Sequence, residues 1–270
     1  MSDPAWLSVT RGEAPLIVSI PHTGVDLASL ENRFVSPWLA RKDADWRIEN
    51  LYDFAADLDA TVIRTTISRS VIDVNRDPSG VSLYPGFATT DLCPTTTFDG
   101  EPLYRPGQAP SKDEIGRRRR DYFDSYHATV RGEIERLRQR FNRIALYDCH
   151  SIRSKIPRLF DGDLPAFNLG ANGGASADAA LIAAVANILA PSGQSFVVDG
   201  RFKGGWITRS FGKPAEGVHA LQMELACRAY MREPAAVGPD NWPTPYEAAR
   251  AAAIRGVLQQ IFATILCWLR

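Results

Sequence analysis

The stretch PLIVSIPHTG at residues 15–24 decides the fold of this chain. Its first six residues are apolar or small and rich in β-branched side chains, which is the pattern of a buried strand. Pro21 ends the strand, and His22 opens a polar turn directly after it. The stretch therefore predicts a strand inside a sheet that delivers a histidine into a loop.

Strand patterns of this kind alternate with helical patterns over the rest of the chain. The predicted strands are 60–67, 71–74, 143–148, 194–198 and 219–225, and the predicted helices are 38–58, 111–141, 176–189 and 246–269. Such alternation is typical of an α/β protein with three layers, α/β/α, whose crossovers gather loops at one edge of the sheet. We expect residues 1–270 to form a single domain, in which the loop 81–110, rich in Pro, Thr and Gly, covers the active site.

The composition narrows the class of protein. A chain of 270 residues with 45% apolar and 23% charged residues is long enough to bury a sizeable core. Thirty-one basic residues balance thirty-one acidic ones, so no overall field attracts nucleic acid or an anionic membrane. The most apolar stretch, 177–189, is shorter than the roughly 20 residues of a membrane span and predicts a buried helix. The first residues, MSDPAW, lack the pattern of a secretory signal, and we expect a cytoplasmic protein.

Two histidines at the ends of predicted strands are candidates for binding a metal ion. A lone histidine such as His22 is more often a structural hydrogen-bonding residue, but His150 repeats the arrangement in the sequence DCHS. A hydrolytic zinc ion needs about three protein ligands, drawn from imidazole and carboxylate groups. The third ligand is Asp45 or Asp148, and the alternatives are that Asp45 caps a helix and that Asp148 orients the His150 ring.

One carboxylate stands in an otherwise apolar strand. Glu224 lies in ALQMEL, and a buried carboxylate needs a positive charge, a proton or a metal ion nearby. This makes Glu224 a candidate general base. The alternative is a surface strand from which Glu224 points into water.

Cationic side chains are concentrated in the segments 68–76 and 200–209. The candidates for substrate binding are Asn75, Arg76, Arg201, Lys203 and Arg209, and Arg69 is a further cation of the first segment. Arginine binds a carboxylate through two parallel hydrogen bonds, so these segments indicate a small acidic substrate. Salt bridges to surface acids are the alternative for each of them.

Six separated motifs together resemble the N-formylglutamate amidohydrolase family. They are SIPHTG at 19–24, DW at 45–46 with LYD at 51–53, SR at 68–69 with VIDVNR at 71–76, DCHS at 148–151, GRFKGG at 200–205 and QMEL at 222–225. They occur in the family's order over about residues 15–232. The resemblance implies a fold like that of zinc carboxypeptidases and aspartoacylase, with a mixed sheet between helices.

The resemblance also implies a set of roles. His22, His150 and Asp45 bind Zn²⁺ in this scheme, Glu224 takes a proton from the attacking water and Arg69 stabilises the oxyanion. The Asn75-Arg76 pair is similar to the pair that binds a substrate carboxylate in carboxypeptidase-like enzymes. The implied reaction converts N-formyl-L-glutamate, an intermediate of histidine degradation, to L-glutamate and formate.

The substrate is the least determined part of this scheme. The sequence departs from the family pattern at Ser210 and Phe211, where histidine and tyrosine are usual, which leaves the acyl group and the amino acid open. The alternatives are an enzyme for another N-acyl amino acid, such as an N-acyl aspartate, and a metal-free binding protein with the same fold. No pattern predicts the oligomeric state.

Overall fold

The computed structural model describes residues 4–270, and its centre is a mixed sheet of seven strands. In chain order the strands are β1 Leu7–Thr10, β2 Leu16–Ile20, β3 Thr61–Thr65, β4 Ile144–Ile152, β5 Phe167–Gly170, β6 Phe196–Val198 and β7 Val218–Ala226. Their order in the sheet is β1-β3-β2-β4-β7-β5-β6. The strands β3, β2, β4 and β7 are parallel, whereas β1 and β5 run antiparallel to their neighbours β3 and β7. The predicted α/β class and mixed sheet are confirmed.

Helices cover both faces of the sheet. They are α1 Pro37–Arg41, α2 Ile48–Leu51, α3 Lys112–Arg118, α4 Ser125–Arg138, α5 Ala179–Leu189, α6 Trp206–Phe211 and α7 Ala248–Leu269, with a π-helical turn at Arg119–Asp124 between α3 and α4. The residues of α2, α5 and α7 pack with one face of the sheet, and those of α4 and α6 pack with the other. The chain therefore has the three layers that its alternating patterns predict.

Helix α7 is long and apolar enough to cross a membrane by length and composition alone. A core helix passes the same test, and α7 buries Leu258, Ile261 and Ile265 in the cluster that covers the sheet. Helix α5 packs beside it, buried along Leu181 and Val185 while several alanines on its outer face are exposed. The prediction of a buried helix at 177–189 is therefore met on one face only, because a helix in an outer layer has its other face in solvent.

Several elements differ from the sequence prediction. The single helix predicted over 38–58 is broken into α1, α2 and a 3₁₀ helix at Asp53–Leu58. The break contains Asp45, whose backbone N–H donates to the His22 carbonyl, and Arg47, whose φ of 65° is left-handed. The strand predicted at 71–74 is a turn, in which the N–H groups of Val71 and Ile72 both donate to the Ser68 carbonyl. Tertiary contacts override local propensity at both places.

Three short elements have no counterpart in the prediction: β1, β5 and α6. The two strands are four residues long, and α6 has six residues in a glycine-rich segment. Elements of this length carry too few residues for a periodic pattern to stand out. They lie at the sides of the sheet or beside the candidate site, where neighbouring segments fix them.

Candidate metal and active site

One face of the sheet changes from apolar to polar towards the carboxyl ends of its central strands. On β4, Leu146 packs in the core, and the next two residues on the same face are Asp148 and His150. On β7, Gln222 is paired with Asp148 and Glu224 with His150. Because β4 and β7 are parallel and adjacent, their alternation brings two carboxylates, an amide and an imidazole to one patch. The sequence prediction that Asp148 and His150 share a side is confirmed by their contact of 2.9 Å.

Three potential metal ligands meet beside this patch. The Nδ1 atoms of His22 and His150 are 3.1 Å apart, and Asp45 Oδ2 lies 3.1 Å from the His150 Nδ1 and 3.7 Å from the His22 Nδ1. Donor atoms about 2.0–2.1 Å from a tetrahedral zinc ion lie roughly 3.3–3.4 Å apart. The three side chains are buried and close enough together to hold a metal ion between them. The structure thus brings together the residues that the sequence proposed as ligands.

The far nitrogen of each imidazole faces a carboxylate. His22 Nε2 lies 2.8 Å from Asp73 Oδ1, and His150 Nε2 lies 2.9 Å from Asp148 Oδ2. Metal-binding histidines usually donate this second N–H to a carboxylate, which fixes the tautomer and leaves the other nitrogen free to bind the metal. Asp148 faces the side of the His150 ring away from Asp45, so Asp45 is the carboxylate among the converging donors.

The converging groups attract positive charge. Burial by itself raises the pKa of Asp45, but hydrogen bonds from His150 and His22 bring it below its usual value. Burial by itself lowers the pKa of His150, but Asp148 and Asp45 raise it well above its usual value. Lone pairs that converge in this way require a cation between them, either a proton or a metal ion. The spacing of the donors and the two carboxylate–imidazole pairs fit a metal ion.

Glu224 differs from the other buried carboxylates of the site. It is 7% exposed, and the only hydrogen bond to its carboxylate within residues 4–270 comes from the Gln222 amide at 3.4 Å. Burial raises the pKa of Glu224 to about 8, although His150 acts in the opposite direction. A carboxylate whose pKa lies near neutrality is suited to take up and release a proton. The alternative of a solvent-facing Glu224 is therefore wrong.

A cavity opens beside these groups and is lined by three arginines. Arg69 donates to Asp73 Oδ2 at 2.7 Å and to Asp45 Oδ1 at 3.3 Å, which ties its guanidinium to the metal cluster. Arg76 donates to the backbone carbonyl and the hydroxyl of Thr90, at 3.2 and 3.1 Å. The third arginine is Arg201.

Arg201 lies between the cavity and an outer opening. Its guanidinium stands over the rings of Tyr84, Phe87 and Phe202, at 5.1, 4.7 and 5.3 Å from their centroids. The residues Lys203 and Arg209 do not line the inner cavity; they line the outer opening together with Arg201. The predicted cations are thus split between an inner and an outer group.

The amide of Asn75 is used within the protein. Its Nδ2 lies 3.1 Å from Asp148 Oδ2 and 2.9 Å from His150 Nε2, and its Oδ1 accepts from the Ile207 N–H at the start of α6. A Cβ at Gly205 would lie 2.4 Å from the same amide, so only glycine allows this approach. Asn75 lines the cavity, but its contacts join β4 to α6 behind the metal ligands.

Sequence reasoning missed other residues of the site. Asp73, Thr90 and Phe98 were not singled out, although Asp73 is a carboxylate between β-branched residues and had the same signal as Glu224. Thr90 and Phe98 belong to the loop 81–110 and line the cavity, where the Phe98 ring stands 4.7 Å from the Arg69 guanidinium. No local pattern marks either residue, because the partners are distant in sequence.

The family model of N-formylglutamate amidohydrolases matches residues 14–231. This chain belongs to that family. Two curated N-formylglutamate deformylases, from Pseudomonas aeruginosa and Pseudomonas putida, are 45% and 44% identical to it over 264 residues. Each alignment covers 97% of this chain and 96% of the relative.

The fold of this family member is also found in two solved structures. An N-formylglutamate amidohydrolase from Ralstonia eutropha JMP134 superposes with a TM-score of 0.80 at 22% identity, covering 99% of both chains. The gene product Atu2144 from Agrobacterium tumefaciens superposes with a TM-score of 0.72 at 14% identity, covering 98% of this chain and 96% of that one. The likeness to zinc carboxypeptidases stays a prediction.

The two residues that depart from the family pattern, Ser210 and Phe211, lie outside the cavity. Ser210 and Phe211 belong to α6, and the Phe211 ring stacks on His127 of α4 with 5.5 Å between centroids. Neither residue lines the cavity beside His22 and His150. In this family member Phe211 therefore contributes to the packing of α6 against α4.

Proposed function

We propose that this protein hydrolyses N-formyl-L-glutamate to L-glutamate and formate, with one zinc ion per chain. The observation that carries the proposal is a single cavity lined by two of the three converging donors, His22 and His150, by the buried carboxylate Glu224, and by three arginines. The deformylase names of two relatives at 44–45% identity support the choice of substrate.

In this proposal His22, Asp45 and His150 hold the zinc ion, and Asp73 and Asp148 orient the two imidazoles. A zinc ion bound there supplies a Lewis acid that lowers the pKa of a water molecule and polarises a carbonyl group. The remaining chemistry belongs to side chains of the chain itself.

Glu224 is the general base and acid of the proposed reaction. Its carboxylate takes a proton from the attacking water and returns it to the leaving amine. Arg69 donates to the oxygen of the former formyl carbonyl as negative charge builds on it, a role that needs a guanidinium already fixed in place. The contacts of Arg69 with Asp45 and Asp73 hold it beside the metal cluster.

Arg76 and Arg201 recognise the two carboxylates of the substrate in this proposal. A cavity that removes water from a dianion must supply cations, since an unpaired buried charge costs several kcal/mol. We assign Asn75 to the support of Asp148 and α6, because its amide is already bonded on both sides. Lys203 and Arg209 attract the dianion to the outer opening.

The loop 81–110 is the proposed cover of this site within a single domain. Its residues Tyr84, Thr90 and Phe98 form part of the cavity wall, and Tyr84 donates to the Gly204 carbonyl at 2.9 Å. A wall made by a loop can exclude water once substrate is bound.

Metal analysis is the first test. We expect the purified protein to contain about one zinc ion per chain, and a chelator to abolish deformylation that added zinc restores. His22→Ala and His150→Ala should lose both metal and activity. His219→Ala is the matched control, because His219 is equally buried but lies at the opposite end of β7. Full activity in metal-free protein contradicts the proposal.

A substrate panel tests the rest of the proposal. We expect N-formyl-L-glutamate to be hydrolysed faster than N-formyl-L-leucine, because the cavity carries cations for two carboxylates. We also expect it to be hydrolysed faster than N-acetyl-L-aspartate, as the names of the two deformylase relatives suggest. Preference for an N-acyl aspartate would identify another amidohydrolase of the same class. Binding of these compounds without turnover and without metal would identify a binding protein.

A further inference from the structure

A tight turn in the loop 81–110 is held by charged side chains from neighbouring segments. At Thr97–Glu101 the Thr97 N–H donates to the Glu101 carbonyl at 2.9 Å and the Gly100 N–H donates to the Thr97 carbonyl at 3.0 Å. Gly100 has a φ of 91°, which favours glycine and lets the chain reverse there. The side chain presented by this turn towards the cavity is Phe98, which is 5% exposed.

The turn is attached to the two segments that carry metal ligands. The Phe98 N–H donates to Asp43 Oδ2 at 2.6 Å, and Asp99 Oδ2 pairs with Lys42 Nζ and with Arg153 Nη2, both at 2.6 Å. Lys42 and Asp43 directly precede the segment of Asp45, and Arg153 follows His150 by three residues. Lys42 and Arg153 are 5% and 8% exposed and the Asp99 side chain is 28% exposed, so water screens these pairs only in part.

This attachment sets the Phe98 ring against the Arg69 guanidinium, whose carbon is 4.7 Å from the ring centroid. The negative face of an aromatic ring attracts a cation, and the attraction grows when both groups are removed from water. Two of the Arg69 nitrogens are bonded to Asp45 and Asp73. The ring adds a contact to the guanidinium that neither carboxylate provides, and so restricts its movement.

We propose that Phe98 is a positioning residue for Arg69, and that its ring face fixes the guanidinium in the orientation that stabilises the oxyanion. The inference rests on the proposed role of Arg69 in deformylation. Phe98 does not touch the reacting atoms in this scheme; it acts through Arg69. The charged contacts of Asp43 and Asp99 keep the ring at the required distance.

A series of fluorinated phenylalanines at position 98 tests this role. Each added fluorine weakens the negative face of the ring and hardly changes its size. We expect kcat for N-formyl-L-glutamate to fall progressively, by about threefold to thirtyfold over the series, with KM, zinc content and Tm near the wild-type values. The same analogues at Phe160 are the control, because Phe160 packs in the same apolar cluster without a cation over its ring.

A second measurement does not depend on activity. In NMR spectra of protein labelled with ¹⁵N-arginine, the Arg69 guanidinium signal should show a ring-current shift that disappears in Phe98→Leu. The signal is assigned by its absence in Arg69→Lys. The inference is overturned if kcat stays constant over the series of fluorinated phenylalanines in an active enzyme and the Arg69 signal is unchanged in Phe98→Leu. A wild-type protein with zinc and without deformylase activity overturns the proposed function instead, and the signal then still reports whether Phe98 holds Arg69.

Discussion

Four buried carboxylates of the site have the same chemistry and different surroundings. Asp45, Asp73 and Asp148 each face an imidazole, and Asp45 and Asp73 also accept from Arg69. Glu224 has one long hydrogen bond to an amide, and its pKa is the one that burial raises to about 8. Asp45 and Asp73, whose pKa values are lowered by their partners, are thereby kept ionised, and Glu224 is left to exchange a proton.

Glu224→Gln tests that distinction. The amide keeps the size and removes the proton acceptor, so we expect turnover to fall by about 10²-fold or more with zinc content close to normal. Steady-state kinetics and metal analysis of the same preparation provide the measurement. Loss of zinc together with activity would make Glu224 a ligand and contradict the role of Asp45.

Arg76→Ala tests whether Arg76 binds a carboxylate of the substrate. A charge-assisted bidentate contact contributes roughly 1.5–3 kcal/mol, so we expect kcat/KM for N-formyl-L-glutamate to fall by about 10- to 150-fold. Arg76→Lys should be intermediate, because lysine keeps the charge and lacks the planar fork. The α-amide and the γ-amide of the substrate serve as neutral comparisons. On the amide that lacks the carboxylate bound by Arg76, Arg76→Ala should have the same kcat/KM as the wild type. An equal loss of kcat/KM on all three compounds would indicate a structural role.

At the scale of elements, the site depends on where regular structure stops. β4 and β7 supply Asp148, His150, Gln222 and Glu224 by simple alternation along paired strands. Asp45 reaches the site only because the helical pattern over 38–58 is interrupted. The glycine-rich segment 199–205 likewise leaves the sheet after β6 and carries cations to the outer opening.

Lys203 of this segment is exposed and lines the outer opening, which makes it a test of long-range attraction. We expect Lys203→Glu to lower kcat/KM about threefold to tenfold at low ionic strength with kcat unchanged, because it repels the dianion before binding. The difference should shrink at about 0.5 M salt, where charges are screened over roughly 4–5 Å. Lys112→Glu, at the exposed start of α3, is the control for the change of net charge. A kcat/KM deficit that does not respond to salt would contradict attraction as its cause.

At the scale of the whole molecule, the proposed metal ion joins three segments that are far apart in the chain. His22 follows β2, Asp45 lies between α1 and α2, and His150 lies in β4. A ligand that binds the folded state and not the unfolded chain stabilises the fold.

Removal of the metal should therefore lower the melting temperature. A ligand present at 100 to 1,000 times its Kd stabilises by about 2.7–4.1 kcal/mol, which corresponds to a shift of about 5–15 °C for a chain of this size. Differential scanning calorimetry with and without a chelator measures the shift. His22→Ala should melt at the lower temperature and show no response to the chelator, whereas an unchanged wild-type melting temperature would contradict metal binding at this site.

Much of the fold and of the site could be predicted from the sequence, because the decisive signals are local. The apolar runs before His22 and His150 predicted the central strands β2 and β4, and alternation predicted the contact between Asp148 and His150. Glu224 was recognisable as a carboxylate in an apolar strand. The separated motifs identified the family, which the comparisons confirm.

Only the tertiary structure decided which residues meet. It chose Asp45 over Asp148 as the carboxylate among the converging donors, because Asp148 approaches the His150 ring from the opposite side. It also separated Arg76 and Arg201 in the inner cavity from Lys203 at the outer opening, and it brought Phe98 to Arg69. A sequence pattern shows the periodicity of apolar residues within one helix or strand. A site is made by contacts between segments, and the packing of the whole chain determines those contacts.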